Sequence, residues 1–414
     1  GSFVLEVSEA GTLRMACSYM GYQSQAKWVE IADYKTIMLE ILLQPTIYSS
    51  EEVVITASRT NENIKKIPAR ISIITRNEIE ANPHDRIEDI LKYTTGINVL
   101  NPNAMYSMRP VVTLRGLGGD EQGRTLVLVD GAPLNKGDTG GVNWSRINAD
   151  DVERIEVFHG PGSSIYGNNA MGGVINIITR KPARPIEGSA RISYGTYNTL
   201  MTSANVGGAQ QNGLYYRVSA MYNTSDGYND MPETLKENPD YSVAKYLNEY
   251  NISTKAGWAI DPLINAELQY DHYRNKKGEG EKIEAPDGEY RNFDTDFLGL
   301  RINGNSEQFS YNLNLYYQKE YYFKLDERMQ SGNYSRFDVK SDRIDKGLTT
   351  NFTNQISVGN KLIYGLEARF GSVEGCDYYV TSPDSVVNQG KMDNYAFFVQ
   401  DEQSGSVFRI VFPT

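Results

Sequence analysis

The chain has 414 residues, with 41 Lys and Arg against 52 Asp and Glu, and the resulting net charge of −11 excludes a broad phosphate-binding surface of the kind nucleic acid needs. Hydrophobic residues make up 40%, and no run approaches the ~18 consecutive apolar residues of a membrane-crossing helix. A helical membrane protein is therefore excluded, whereas a transmembrane barrel, apolar only at every second residue, is not. The 3 His are too few and scattered to favour a His-built metal or haem centre, and Cys17 and Cys376 read as two free thiols rather than a disulfide.

The chain opens on Gly1 inside a strand-like alternation that runs to Val7. Thr12 to Tyr19 and Lys35 to Leu43 read as further short strands, punctuated by Gly21-Tyr22. Residues 1–46 are accordingly expected to be the end of a small β-sandwich. Residues 47–66 read as a linker with one β-prone island, EEVVITASR at 51–59. Such an island suits strand addition to another protein's sheet edge, or a buried strand of the following domain, and its pattern leaves both open.

Residues 67–182 read as a compact α/β mixture. Strands are expected at 71–74, 111–114, 125–129, 154–158 and 174–179, and a helix capped by Asp85 through Ile87, Ile90 and Leu91, stopped by Gly96. Asp130-Gly131 is a tight-turn signal. The glycines Gly160, Gly162, Gly167, Gly172 and Gly173 are read as geometric, not as a phosphate loop, because no Gly-Lys-Ser/Thr follows and the segment runs into a strand.

From about residue 186 strict period-two alternation sets in. Leu214, Tyr216, Val218, Ala220 and Tyr222 share one face, and Tyr215, Arg217, Ser219, Met221 and Asn223 the other. The same pattern recurs at 264–271, 309–318 and 362–370. In water the apolar face would turn inward, as in a sandwich; in a bilayer it would turn outward, as in a barrel. Abundant Tyr, strands long enough for a tilted crossing of ~9–11 residues, and alternating short and long connections favour the barrel. The short connections are placed at 196–199 and 303–308, the long polar ones at 224–246, 274–292, 326–341 and 371–390.

Two stretches carry a family resemblance. TLRGLGG at 113–119 followed by LVLVDGAPLN at 126–135, and DDVERIEVFHGPGSSIYGNNAMGGVINIITRKP at 150–182, together resemble the plug of TonB-dependent outer-membrane receptors. The island at 51–59 then resembles the TonB box, implying that Glu52, Val53, Val54, Ile55, Thr56 and Ala57 bind TonB. Residues 1–46 resemble the end of the carboxypeptidase-regulatory-like domain that precedes many such receptors in Bacteroidetes. The implied fold is mostly β: a partial sandwich, the 47–66 linker, a plug at 67–182, and from 186 to 414 part of an antiparallel transmembrane barrel. The resemblance further implies the outer membrane of a Gram-negative bacterium, with TonB, the ExbB–ExbD complex, outer-membrane lipid and a small-molecule or metal-chelate ligand as partners, and no cofactor.

The loops 101–109 and 135–146 should form the plug apex, with Tyr106, Arg109, Asn135, Asp138, Asn143 and Trp144 facing ligand. Arg115, Arg154 and Glu156 are expected to dock plug to wall as a charge lock. Asp287, Asp294 and Asp296 offer oxygen ligands for Ca²⁺, but their spacing is not an EF-hand loop and solvated loop acids are the favoured reading, so no metal site is assigned. No nucleophile–base pair or Cys/His cluster stands out, so no enzyme is expected. The implied activity is gated import of siderophore-iron, a haem-like or a cobalamin-like ligand, with glycan import or signalling on the same fold as alternatives. Members of the fold have about 22 strands, and about ten or eleven candidates follow residue 186. The final QSGSVFRIVFPT also departs from the family pattern, and the chain is expected to be a piece of a longer receptor.

Overall fold

The computed structural model describes residues 11–17, 25–31, 39, 41, 53–54, 62–63, 69–82, 86–117, 122–167, 169–229, 239–261, 263–306, 308–357 and 359–403. The chain divides into two compact units, Gly1–Val53 and Val54–Thr414. In the first, β1 (Gly11–Cys17) and β2 (Gln25–Ile31) pair antiparallel, with Gly11 opposite Ile31 and Cys17 opposite Gln25. The first of these strands was expected and the second was not. The expected strand at 1–7 lies outside the described residues, and of 35–43 only Leu39 and Ile41 are described, both without regular structure. A two-residue strand, β3 (Val53–Val54), forms a small ladder with β4 (Glu62–Asn63). Glu52, Ile55, Thr56 and Ala57 lie outside the described residues.

The inner α/β domain begins with β5 (Ile71–Thr75), which leads directly into α1 (Arg76–Ala81). A capping box starts that helix: Thr75 Oγ1 accepts from the Glu78 amide, and the Thr75 amide donates to Glu78 Oε2 at 2.7 Å. Next come α2 (Ile87–Leu91), β6 (Ile97–Leu100), β7 (Val111–Leu114), β8 (Thr125–Val129), β9 (Ala132–Pro133), β10 (Val152–Phe158), α3 (Ser163–Tyr166) and β11 (Gly173–Thr179). Five strands form one mixed sheet in the order β5-β10-β11-β8-β9, with β11 parallel to β8 and antiparallel to β10, while β6 and β7 form a separate hairpin ladder. Asp130 and Gly131 both adopt positive φ, 50° and 87°, in the tight turn between β8 and β9. The core is apolar and continuous: Ile87, Leu91, Val112, Leu114, Val127, Trp144, Ile155 and Ile177 are all buried in one cluster.

Ten strands follow as an antiparallel meander: β12 (Glu187–Gly195), β13 (Thr199–Ala209), β14 (Leu214–Ser225), β15 (Leu247–Asp261), β16 (Ile264–Gly278), β17 (Tyr290–Asn305), β18 (Phe309–Gln330), β19 (Asn333–Ser357), β20 (Asn360–Tyr379) and β21 (Ser385–Gln403). Among the described residues β12 and β21 each pair on one side only, so this wall is an open sheet. Its faces decide between sandwich and barrel. Along β14 the apolar set is exposed, Leu214 at 42% and Val218 at 40%, while Tyr215, Arg217, Ser219 and Asn223 on the polar face are buried. An inward polar face and an outward apolar one is the barrel arrangement. Among the described residues no helix is long and apolar enough to cross a membrane.

The expected long loops need correction. Residues 326–330 and 333–341 are strand, as are 371–379 and 385–390, joined by short turns. β19 alone has 25 residues, about 80 Å at ~3.3 Å per residue, far more than a crossing needs. The short turn at 196–198 also lies on the edge that carries the 226–246 connection, since the Asp226 amide donates to Tyr197 O at 2.9 Å.

Gly173 shows what closes the inner domain. Its φ is +150°, and a Cβ there would lie 2.3 Å from Phe158 O and 2.5 Å from Leu114 Cδ1. Gly173→Ala is expected to destabilise the domain by about 1–3 kcal/mol, read as a lower urea midpoint of Trp144 emission in a background with Trp28 and Trp258 changed to Phe.

Candidate functional site at the face between inner domain and wall

The polar face of the wall packs on the inner domain through four charged patches. In the first, α2 is entered through Arg86, whose Nε donates to Glu88 Oε1 at 2.7 Å and whose Nη1 lies 3.4 Å from Glu249 Oε1 on β15. Glu249 also accepts from Asn223 and from the Tyr273 hydroxyl, at 3.1 and 3.0 Å. Lys277 of β16, fully buried, completes it: Nζ donates to the carbonyls of Met105 and Ser107, at 3.1 and 3.4 Å, and to Ser145 Oγ at 3.0 Å. A wall lysine thus clasps the backbone of the 101–109 loop.

The second patch surrounds the β8–β9 turn. Lys255 Nζ lies 2.8 Å from Asp130 Oδ2, and Arg301 Nη2 lies 2.5 Å from Glu267 Oε1 and Nη1 donates to Asp130 O at 3.2 Å. The third is built on 135–146. Lys136 pairs with Glu320 at 2.5 Å, Arg343 bridges Glu320 and Asp138 at 3.3 and 2.8 Å, and the Gly137 amide donates to Asp345. Arg146 donates to Gln318 at 2.5 Å. In the fourth, Asp151 takes Arg217 at 2.9 Å and Ser219 at 2.5 Å, and Asp150 takes Arg191 at 2.8 Å.

These partners shift the inner-domain groups. Burial pushes the Asp130 carboxyl up, but Lys255 and Arg301 outweigh it and hold the group well below the usual carboxylate range. Burial likewise raises Asp138, and Arg343 more than reverses it. Burial lowers the Lys136 ammonium against the pull of Glu320.

The structure redistributes the sequence-derived site residues. Tyr106 is buried, its hydroxyl 2.8 Å from Ser225 Oγ on the wall and its ring edge-on to Tyr228. Asn135 is buried because its side chain completes backbone pairing: Oδ1 accepts from the Val127 amide, and Nδ2 donates to the carbonyls of Thr125 and Gly140. Trp144 is a core residue, 1% exposed, with Nε1 donating to Gln122 Oε1 at 3.0 Å. Tyr106, Asn135 and Trp144 are therefore buried, with their side-chain polar groups already bonded within the protein. Asp138 belongs to the charge patch with Arg343, whereas Arg109 and Asn143 line one small cavity.

The three expected lock residues are also corrected. Arg115 sits at a turn with φ +58° and is exposed, with no side-chain partner among the described residues. Arg154 and Glu156 point from the same face of β10 and pair with each other at 2.8 Å. The pairs with the wall are made instead by Arg86, Asp130, Lys136, Asp138, Asp150 and Asp151 on the inner domain. Asp130 stood out in the sequence as a turn residue only; nothing in its local pattern reports a wall lysine 125 positions away. Asp287 is held by Lys276 at 2.7 Å, while Asp294 and Asp296 gather with His272, whose Nδ1 lies 3.0 Å from Asp296.

Residues 63–174 match the family model described as TonB-dependent Receptor Plug Domain. Over that stretch the inner domain is similar to the plug of TonB-dependent receptors. It is 29% identical over 246 residues to the vitamin B12 transporter BtuB of Vibrio vulnificus, an alignment covering 54% of this chain and 40% of the relative. With the ferric enterobactin receptor PirA of Pseudomonas aeruginosa it shares 25% identity over 379 residues, covering 84% of this chain and 47% of the relative. The structure of P. aeruginosa FpvA bound to an iron-loaded pyoverdine superposes with a TM-score of 0.66 over 86% of this chain and 52% of that one, at 14% identity, a likeness of fold. The chain spans about half the length of these proteins or less.

Two outcomes follow from the plug–wall charges. Asp130→Asn leaves Lys255 and Arg301 buried with Glu267 as their remaining carboxylate, and is expected to cost about 3–5 kcal/mol, measured as urea-induced exposure of the plug to protease; exposed Arg115→Gln should stay within about 0.5 kcal/mol. Because the Asp130 and Asp138 carboxyls are depressed in the folded state, their contribution is complete above the unfolded value near 4 and is lost as pH falls through the lower folded values. Plug protection should be flat from about pH 7 to 5 and decline below about pH 4, with part of that decline absent in Asp138→Asn.

Proposed function

We propose that this chain supplies the plug and ten wall strands of a TonB-dependent importer in the outer membrane of a Gram-negative bacterium. The observation that carries the reading is the inversion of the wall: an apolar face outward, a polar face inward, and a plug held to the polar face by buried ion pairs. A soluble β-protein would bury the other face. The two open edges of the wall need strand partners in a bilayer, because hydrocarbon leaves no water for unpaired backbone groups.

The cargo is a scarce compound of the siderophore-iron or cobalamin-like class. The relatives named for vitamin B12 and ferric enterobactin support that class. A haem-like cargo is less favoured with 3 His in the chain. Ligand arrives from the edge carrying the 226–246 and 279–289 connections, where the plug loop 101–109 meets the wall. TonB, driven by the ExbB–ExbD complex, engages residues 52–57 by adding a strand, and the pull loosens the four patches. The leading hairpin fits a carboxypeptidase-regulatory-like domain ahead of that segment.

Strand addition depends on main-chain hydrogen bonds, which proline cannot donate. Val54→Pro is expected to weaken capture of the detergent-solubilised chain by the periplasmic domain of TonB about tenfold or more, while Val54→Thr retains it. Equal capture of both variants would remove this segment from the mechanism.

A further inference from the structure

The outward face of β16 reads Ala266, Leu268, Tyr270, His272, Arg274 and Lys276. The apolar band therefore ends at Tyr270, and the residues beyond it, toward the 279–289 connection, form a wet rim. On that rim His272 stands directly opposite Asp296 of β17, and Asp294, opposite Arg274, follows on the same face. All three lie on the side of the wall away from the plug. Their side chains are 27%, 48% and 33% exposed, so an ion can reach them from solvent.

The three converge on one point. His272 Nδ1 lies 3.0 Å from Asp296 Oδ1 and 3.9 Å from Asp294 Oδ1, and a ligand atom of each residue lies within 4.8 Å of the other two. Two atoms bound to one tetrahedral Zn²⁺ at ~2.0–2.2 Å are ~3.4 Å apart, a value those two distances bracket. Each side chain is also held from behind. The Tyr250 hydroxyl lies 3.2 Å from His272 Nε2, where it can accept the ring N–H and leave the Nδ1 lone pair facing the carboxylates. Tyr270 donates to Asp296 Oδ1 at 2.7 Å, and Arg274 stands 3.8 Å from the far oxygen of Asp294, Oδ2. Outer contacts of this kind orient the ligands of metal sites.

A bare lone pair on Nδ1 would repel a carboxylate oxygen 3.0 Å away, so something positive belongs between them. A proton on Nδ1 answers Asp296 alone, because 3.9 Å to Asp294 is beyond hydrogen-bond length. A metal ion answers all three groups at once. Imidazole together with carboxylate suits Zn²⁺ and neighbouring transition metals, whereas Ca²⁺ takes oxygen ligands. We propose that His272, Asp294 and Asp296 form a site for a divalent transition cation of the Zn²⁺ kind, which staples β16 to β17 on the outer side of the wall and keeps a fourth position for water. Asp287, tied to Lys276, is not part of it. The site is remote from the plug, and its chemistry does not depend on the importer reading above.

The test is calorimetric. The full chain in detergent is stripped with a chelator and titrated with Zn²⁺ in a buffer that does not bind metal, with and without a large excess of Ca²⁺. One saturable equivalent that survives the Ca²⁺ is expected. His272→Gln should weaken it by about tenfold or more, as should Asp296→Asn and Asp294→Asn. His159→Gln, on the inner domain, should leave it unchanged. Should His272→Gln fail to fold, the two near-isosteric Asp→Asn changes decide. No saturable equivalent, displacement by Ca²⁺, or an affinity indifferent to His272→Gln and both Asp→Asn changes overturns the proposal. Loss with His272→Gln and Asp296→Asn but not with Asp294→Asn also overturns it, because the three-ligand site then reduces to a histidine–carboxylate pair.

Discussion

A wall that shows hydrocarbon-compatible side chains to the outside must turn its charged side chains inward, and something must be there to answer them. Lys277, Lys255, Arg217 and Glu320 are each at most 5% exposed. An ion left alone at that depth costs several kcal/mol. The plug carries the counter-charges: Asp130 for Lys255, Asp151 for Arg217, Lys136 for Glu320. The fold of the plug is set by its own apolar core, but its place is set by these pairs.

Such pairs are strong in one sense only. They add little over an apolar interface of the same shape, and they are expensive to break singly, because each break strands a partner. An interface built this way resists thermal drift of one contact yet yields when a whole face is moved into water, where every ion is hydrated at once. The burial also limits salt screening. Such an interface therefore responds little to a change in ionic conditions.

The fold was largely legible in the sequence because the β side-chain period is two, so the faces of β14, β16, β18 and β20 could be sorted by inspection. The alternation could not say which face is inside; the exposure of Leu214 and Val218 does. The pattern also fades above the apolar band, where both faces are polar, and 326–341 and 371–390 therefore looked like loops. The first helix was missed although Thr75 and Glu78 stand three apart as a capping box. The pairs between plug and wall were not legible. Charge on the polar face could be read, but pairing joins residues such as Asp130 and Lys255 that only the wound sheet brings together. Asn135 and Trp144 misled for a related reason: a polar loop composition conceals an Asn that completes backbone pairing and an indole sunk into the core.

Arg109 and Asn143 line one small cavity close to the first charge patch. The 101–109 loop is clasped at Met105 and Ser107 by Lys277, and two residues later it presents the exposed Arg109. Ser145, also held by Lys277, follows Asn143 by two residues on the other side of the cavity. Lys277 in turn shares Glu249 with Arg86 at the start of α2. A shift of about 1 Å at either apex segment is enough to lengthen hydrogen bonds of 3.0–3.4 Å past useful range. Arg109 and Asn143 are thus separated from the first charge patch by a few peptide bonds on two loops, not by the width of the plug.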